Sequence, residues 1–318
     1  MNRRRLLALP VGVASLRAGL RAVRADNPIP PGRIAYIRDG AVWVWSNGDS
    51  SQLVAGSQLS DARWSPSGDA LLYIRSGDSY SDLYLYNIAS QTETQLTFNK
   101  PDAPEGSEEY AAAASWVIDP SWSASGVVGY ISDANSSNNT FALWTASNPY
   151  TGTATLAPVA VSEDNIDSLS LSPDGSIAAY VERTRNADGT STTSISLRDL
   201  SDGQVFDLPS AGPNTFDPAI GPDGQLVAFS KRDGGMTDVW ISSRQGGAAT
   251  QVTSGYQATN PCWSPDGKWL AFIRMIDYKF KVWVAPMTGA TPGTSFELFD
   301  PKNIDAPSGL AWVIPKTA

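Results

Sequence analysis

Five short apolar runs punctuate the chain, LLYI (71–74), VVGYI (127–131), IAAYV (177–181), LVAF (226–229) and WLAFI (269–273), with no strict alternation of polar residues inside them. Runs of this kind predict short strands buried on both faces. A polar phrase precedes each run: RWSPSG (63–68), SWSASG (121–126), SLSPDG (170–175), AIGPDG (219–224) and CWSPDG (262–267). Proline at the second place and glycine at the fourth fit a type I turn, so each phrase predicts a strand, a turn and a second strand. A sixth phrase, AWVIPK (311–316), keeps the strand and lacks the turn. The apolar anchors Trp64, Trp122, Leu171, Ile220, Trp263 and Trp312 are separated by 58, 49, 49, 43 and 49 residues. Periods of this size indicate a solenoid, a propeller or an array.

Each unit continues with a third strand, LYLYNI (83–88), FALWTA (141–146), SISLRDL (194–200), DVWIS (238–242) and KVWVA (281–285), and a weaker fourth such as TETQLT (92–97) or ATQVT (249–253). At the N-terminus IAYI (34–37), VWVW (42–45) and QLVA (52–55) match the second to fourth strands of a unit with no first strand, whereas GLAWVI (309–314) is a first strand with no successors. Joining the two completes a sixth blade and gives 24 strands. The predicted fold is therefore all-β, a six-bladed propeller of four-stranded antiparallel blades closed by its C-terminal strand. First-strand tryptophans and the aromatics Tyr73, Tyr130, Tyr180, Phe229 and Phe272 are expected between blades, and Asp174, Asp223 and Asp266 are read as turn residues.

Over residues 33–314 these units resemble the TolB-like, or WD-like, β-propeller repeats, built on a WSPDG phrase, an apolar strand and a fourth strand ending near LT. The resemblance implies a standalone propeller without the α/β domain that precedes the propeller in TolB. The structural histidine of true WD repeats is missing. Prolyl-oligopeptidase-type enzymes carry similar phrases beside a hydrolase domain, but no G-x-S-x-G occurs in this chain.

Composition narrows the chemistry. Histidine is absent, which excludes Ser-His-Asp and Cys-His nucleophile systems and histidine-ligated zinc. The lone Cys262 excludes an internal disulfide framework. Residues 1–25 hold six arginines, no acidic residue and the apolar run LLALPVGVASL, and read as a signal peptide, leaving residues 26–318 as a single propeller that is exported to the periplasm or beyond. That apolar run is too short to span a bilayer. Beyond Ala25 there are 17 basic against 32 acidic residues, a net charge of −15 that disfavours nucleic acid as a partner.

Three positions before the anchors stand Asp61, Asp119, Asp217 and Asn260, with Asp167 four before Leu171. If the first strand is innermost, these side chains approach one another around one mouth of the channel. They are the candidate ligand-binding residues, and Asp61, Asp119 and Asp217 could offer oxygens to a hard cation such as Ca²⁺. The competing reading is structural, with Asx-Pro turns expected where Pro120 and Pro218 follow. No catalytic residue is assigned. The leading expectation is a monomeric, non-catalytic propeller binding a protein, peptide or glycan of the cell envelope on its loop-rich face. The alternative is a carboxylate-based hydrolase or lyase acting on glycans. The long connection 99–119 is read as a solvated loop or as a lid whose AAAASW end forms one helical turn, and 132–140 and 184–193 as flexible hairpin tips.

Overall fold

Every strand-turn-strand unit found in the sequence closes into an antiparallel sheet in the computed structural model, which describes residues 27–134, 140–147, 155–161 and 165–315. The basic segment 1–25 and most of the 132–140 tip lie outside the described residues. Blade 2 runs Leu59–Trp64, Ala70–Ser76, Ser81–Asn87 and Thr92–Gln95, and blade 3 Val117–Trp122, Val128–Ser132, Ala142–Ser147 and Thr155–Val161. Blade 4 runs Asn165–Leu171, Ile177–Arg185, Ser191–Asp199 and Val205–Asp207, and blade 5 Thr215–Ile220, Leu226–Asp233, Met236–Ser243 and Thr250–Gln251. Blade 6 runs Ala258–Trp263, Trp269–Ile276, Lys279–Thr288 and Phe296–Phe299, with Thr291–Pro292 folding back on the end of its third strand. That short extra pairing is a strand beyond the 24 expected.

Blade 1 is built from both ends of the chain. Leu310–Val313 pairs antiparallel with Arg33–Arg38, Trp312 opposite Ile34, and Ala41–Ser46 and Asp49–Val54 complete the sheet. Trp312 Nε1 donates to Pro31 O at 2.9 Å, which ties the closing strand to the incoming chain a second time. The first strands of successive blades contact one another all the way round, so the molecule is a six-bladed β-propeller with a central channel.

The core lies between blades. Each of the six buried clusters spans two neighbours: Tyr73 joins blades 1 and 2, Tyr130 blades 2 and 3, Tyr180 blades 3 and 4, Phe229 blades 4 and 5, Phe272 blades 5 and 6, and Tyr36 blades 6 and 1. Burying an aromatic of this size removes 150–250 Å² from water, roughly, which is what holds sheets face to face. Five of these aromatics face a third-strand aromatic across the sheet, as Tyr73 faces Tyr84 and Phe272 faces Trp283. Two residues further on, Arg38, Arg75, Lys231 and Arg274 lie over that third-strand ring, at 4.4, 4.4, 5.7 and 4.4 Å from its centroid.

The turn phrases explain their own residues. In the last one, Gly267 N donates to Ser264 O, Ser264 Oγ accepts from Trp269 N, and Ser264 Oγ donates to Asp266 Oδ1 at 2.7 Å. Ser172 and Asp174 repeat the arrangement, and Asp174 is held down to about 2 by the Ser172 hydroxyl and by the Ser176 amide and hydroxyl. In blade 5 glycine replaces the serine, and Asp223 caps Gln225 N and Leu226 N directly. Because strands alternate in direction, these turns gather on one side of the ring, which we call the lower face. The second-to-third hairpins and the connections between blades gather on the other, the upper face.

Candidate functional site

The upper mouth of the channel opens where the first strands begin, and five of the six carry the same defect. The register to the second strand slips between Ser60 and Arg63, Ile118 and Ser121, Asp167 and Ser170, Phe216 and Ala219, and Thr259 and Cys262. At these bulges Asp61, Asp119, Ser168, Asp217 and Asn260 adopt φ of 52°, 49°, 59°, 50° and 52°, and Gly309 takes the matching place in blade 1 at 65°. Left-handed backbone is tolerated by Gly and, among side-chain-bearing residues, best by Asn and Asp. The recurrence of Asp and Asn three positions before the anchor therefore has a backbone cause.

The side chains then link neighbouring blades. Asp119 Oδ2 accepts from Ser168 N at 2.7 Å, and Asp217 Oδ2 accepts from Asn260 N at 3.2 Å and from Ser230 Oγ at 2.8 Å. Just below, Ser121 Oγ accepts from Leu171 N and Ser170 Oγ from Ile220 N. Asp61 is held differently, with Arg63 Nη2 3.9 Å from its Oδ1. The expected Asx-Pro turns at Asp119 and Asp217 give way to these bonds across blades.

Of the sequence-picked residues, Asp119, Asp217 and Asn260 line the channel cavity of about 240 Å³; Asp61 stands at the matching bulge outside its wall, and Asp167 turns away to Arg183 Nη2 at 3.2 Å and is replaced in the ring by Ser168. Among the described residues no group of three carboxylate or thiol side chains is gathered closely enough to hold a metal ion.

Sequence reasoning missed Arg63. It is the one cation lining the cavity, and it donates from Nη1 to Ala62 O at 2.9 Å and to Ser308 O at 3.1 Å, bridging blades 2 and 1. The signal was present in the phrase RWSPSG, since the residue before the anchor is small elsewhere, Ser121, Ser170, Ala219, Cys262 and Ala311. Burial pushes the carboxyls of Asp61 and Asp217 above the usual range; for Asp119, burial and the neighbouring Asp61 push it up to about 7. Burial also raises the Cys262 thiol to about 11, which keeps it protonated and unreactive near neutrality.

The connection 99–119 crosses the upper face and holds the one described helix, Glu108–Ala113, which begins three residues before the AAAASW stretch, takes in its first three alanines and is capped by Ser107 Oγ accepting from Tyr110 N at 3.0 Å. Tyr110 is buried beneath it, and Trp116, three residues beyond the helix, is fixed through its amide by Asp133 at 2.6 Å. The tip expected to be flexible at 184–193 is half strand, and its turn is tied by Thr190 N and Oγ1 donating to Asp188 Oδ1. No described helix is long and apolar enough to cross a membrane.

Six four-stranded blades closed by the terminal strand, with Ser-Pro-Asp-Gly turns in blades 4 and 6, give this chain the β-propeller fold that it shares with TolB. The family model for the lipoprotein LpqB β-propeller domain matches residues 196–292. The uncharacterized peptidase YuxL of Bacillus subtilis is 36% identical over 99 residues, which is 30% of this chain and only 15% of that protein. TolB from Acinetobacter baumannii superposes with a TM-score of 0.67 at 16% identity, covering 89% of this chain and 66% of that one. A putative TolB from Agrobacterium tumefaciens gives 0.63 at 18% identity, covering 89% and 98%.

Proposed function

We propose that the protein is a non-catalytic, exported propeller that binds a protein or peptide partner on its upper face. One observation carries this reading. Of the nine large apolar side chains exposed among the described residues, six belong to upper-face hairpins and connections: Phe98, Trp116, Met236, Tyr256, Tyr278 and Phe280. Aromatics and Met concentrate at protein interfaces, because they remove large areas from water with few rotors to freeze. The carboxylates at the channel mouth are engaged in joining blades, Asp119 to Ser168 and Asp217 to Asn260, so they serve the frame that presents this face. Export accords with the basic, apolar segment 1–25 and with the likeness of residues 196–292 to the propeller domain of the lipoprotein LpqB.

The test is site-specific photo-crosslinking in intact cells. Benzoylphenylalanine at position 116 or 236 should give discrete adducts, and the same group at 206, on the outer strand of blade 4, should give none. Equal labelling from both regions, or turnover of a glycan that disappears in Asp119→Asn, overturns the reading.

A further inference from the structure

We propose that the cleft between the upper hairpin of blade 6 and the connection 300–309 binds an acidic peptide segment, with Tyr278 as its aromatic contact. This deepens the reading of the upper face as a partner surface and rests on it. The cleft has a volume of about 490 Å³ and brings Arg38, Lys279 and Lys302 into its lining, with Asp300 as the one acidic residue there. Asp300 is already engaged, since its Oδ1 accepts from Lys302 N at 3.1 Å. Arg38 is shared with Asp39 at 3.4 Å, whereas Lys279 and Lys302 form no ion pair among the described residues. A cleft where three cations meet one carboxylate is out of keeping with a chain carrying 32 acidic and 23 basic residues.

The hairpin itself points to a ligand. Tight second-to-third connections place two residues at positive φ, and glycine is the strain-free choice for the second. Blade 1 uses Asp39 and Gly40 at 51° and 70°, and blade 5 uses Gly234 and Gly235 at 55° and 86°. Blade 6 uses Asp277 and Tyr278 at 49° and 60°. Tyr278 is 96% exposed, so no burial offsets the strain of its backbone. A bulky residue held where glycine would serve the fold better, and pointed into water, is explained by a partner that covers it.

The chemistry of the wall favours a peptide. Carboxylates can reach Lys279 and Lys302, while an apolar side chain fills the space between Tyr278, the half-exposed Phe280 and the buried Ile304, which pairs with Arg38 at the cleft floor. An acidic glycan supplies the charge and lacks that apolar side chain.

The probe is a fluorescein-labelled (Glu-Glu-Phe)₄ peptide, titrated by anisotropy at low salt against the whole protein, with an oligogalacturonate of equal charge as competitor. Binding should weaken at least tenfold in Lys279→Glu/Lys302→Glu and in Tyr278→Gly, while Tyr278→Gly melts at or above the parent midpoint because it relieves the hairpin. The inference is overturned if the parent does not bind the peptide, if the variants bind it as well as the parent, or if the oligogalacturonate competes as effectively as unlabelled peptide. Crosslinking from positions 116 and 236 does not pass through this cleft, so adducts there with no peptide binding would remove this inference alone.

Discussion

At positions 61, 119, 217 and 260 the backbone demands a residue at ease near φ +50°, and at 119 and 217 the side chain supplied for that reason then bonds to the next blade. The four were visible in the sequence as a recurrence of Asp and Asn, but the bulge was not, because a one-residue slip in register leaves the apolar pattern of the following strand untouched. Ser168 escaped notice for the same reason, and Asp167 beside it was picked on residue type. Asp119 has a measurable consequence. Burial and Asp61 raise its pKa from the ordinary 3.8 to about 7, so the native state holds a proton that the unfolded chain releases. The resulting stabilisation is complete below about pH 4 and is lost as pH rises through 7. Asp119→Asn keeps a residue suited to left-handed backbone and an acceptor for Ser168 N, and removes the charge. It should be more stable than the parent by about 1–2 kcal/mol at pH 8, with the gap closing towards pH 4. Urea unfolding at pH 4, 6 and 8 checks this, and a difference independent of pH would refute it.

Within a blade, the exit from the fourth strand is organised by a buried carboxylate on the third. Asp238 accepts from Thr253 Oγ1 at 2.8 Å, Gly255 N at 2.8 Å and Tyr256 N at 3.1 Å, while Val239 N donates to Thr253 Oγ1. Asp82 does the same in blade 2 for Thr97 and Asn99 N. The LT ending of the fourth strand is thus half of a knot whose other half lies some fifteen residues upstream. Asp238→Ala should destabilise the protein by about 2–3 kcal/mol through orphaned buried donors, and should speed amide exchange at Gly255 and Tyr256 ahead of global unfolding. Unchanged protection at those amides would show that the connection holds itself. Strand positions were legible because the second strands are continuous apolar runs that only a doubly covered sheet explains. Knots such as Asp238 with Thr253 were not, since each partner alone reads as an ordinary polar residue. The helix Glu108–Ala113 shifted from the expected AAAASW because Ser107 caps it and Tyr110 buries beneath it, signals that outweigh alanine propensity.

At the scale of the whole ring, charge and closure are both uneven. Residues 96–214, which build blades 3 and 4, hold 15 acidic and 4 basic residues, whereas residues 215–302, which build blades 5 and 6, hold 8 of each. The acidic burden therefore sits away from the proposed cleft, and an acidic segment is directed by the long-range field towards blades 5, 6 and 1. The ring closes through one four-residue strand, Leu310–Val313, whose side chains are all buried. The fit is close, for a Cβ on Gly32, at φ 101°, would lie 2.2 Å from Val313 O. Removing residues 308–318 would strip Arg33–Arg38 of its partner and expose the edge beside Ile34, Ala35, Tyr36 and Ile37, all fully or almost fully buried in the closed ring. An apolar edge of that kind pairs with other chains, so the truncated protein should self-associate as its concentration rises and melt lower than the parent. Trp312→Ala, which leaves the strand and removes the side chain and its bond to Pro31, should lose about 3–5 kcal/mol without association. Light scattering with thermal melting separates the two. A truncated chain that stays monomeric and melts with the parent would mean that the six blades hold together without their closing strand, and the physical basis assigned to the channel would fail with it.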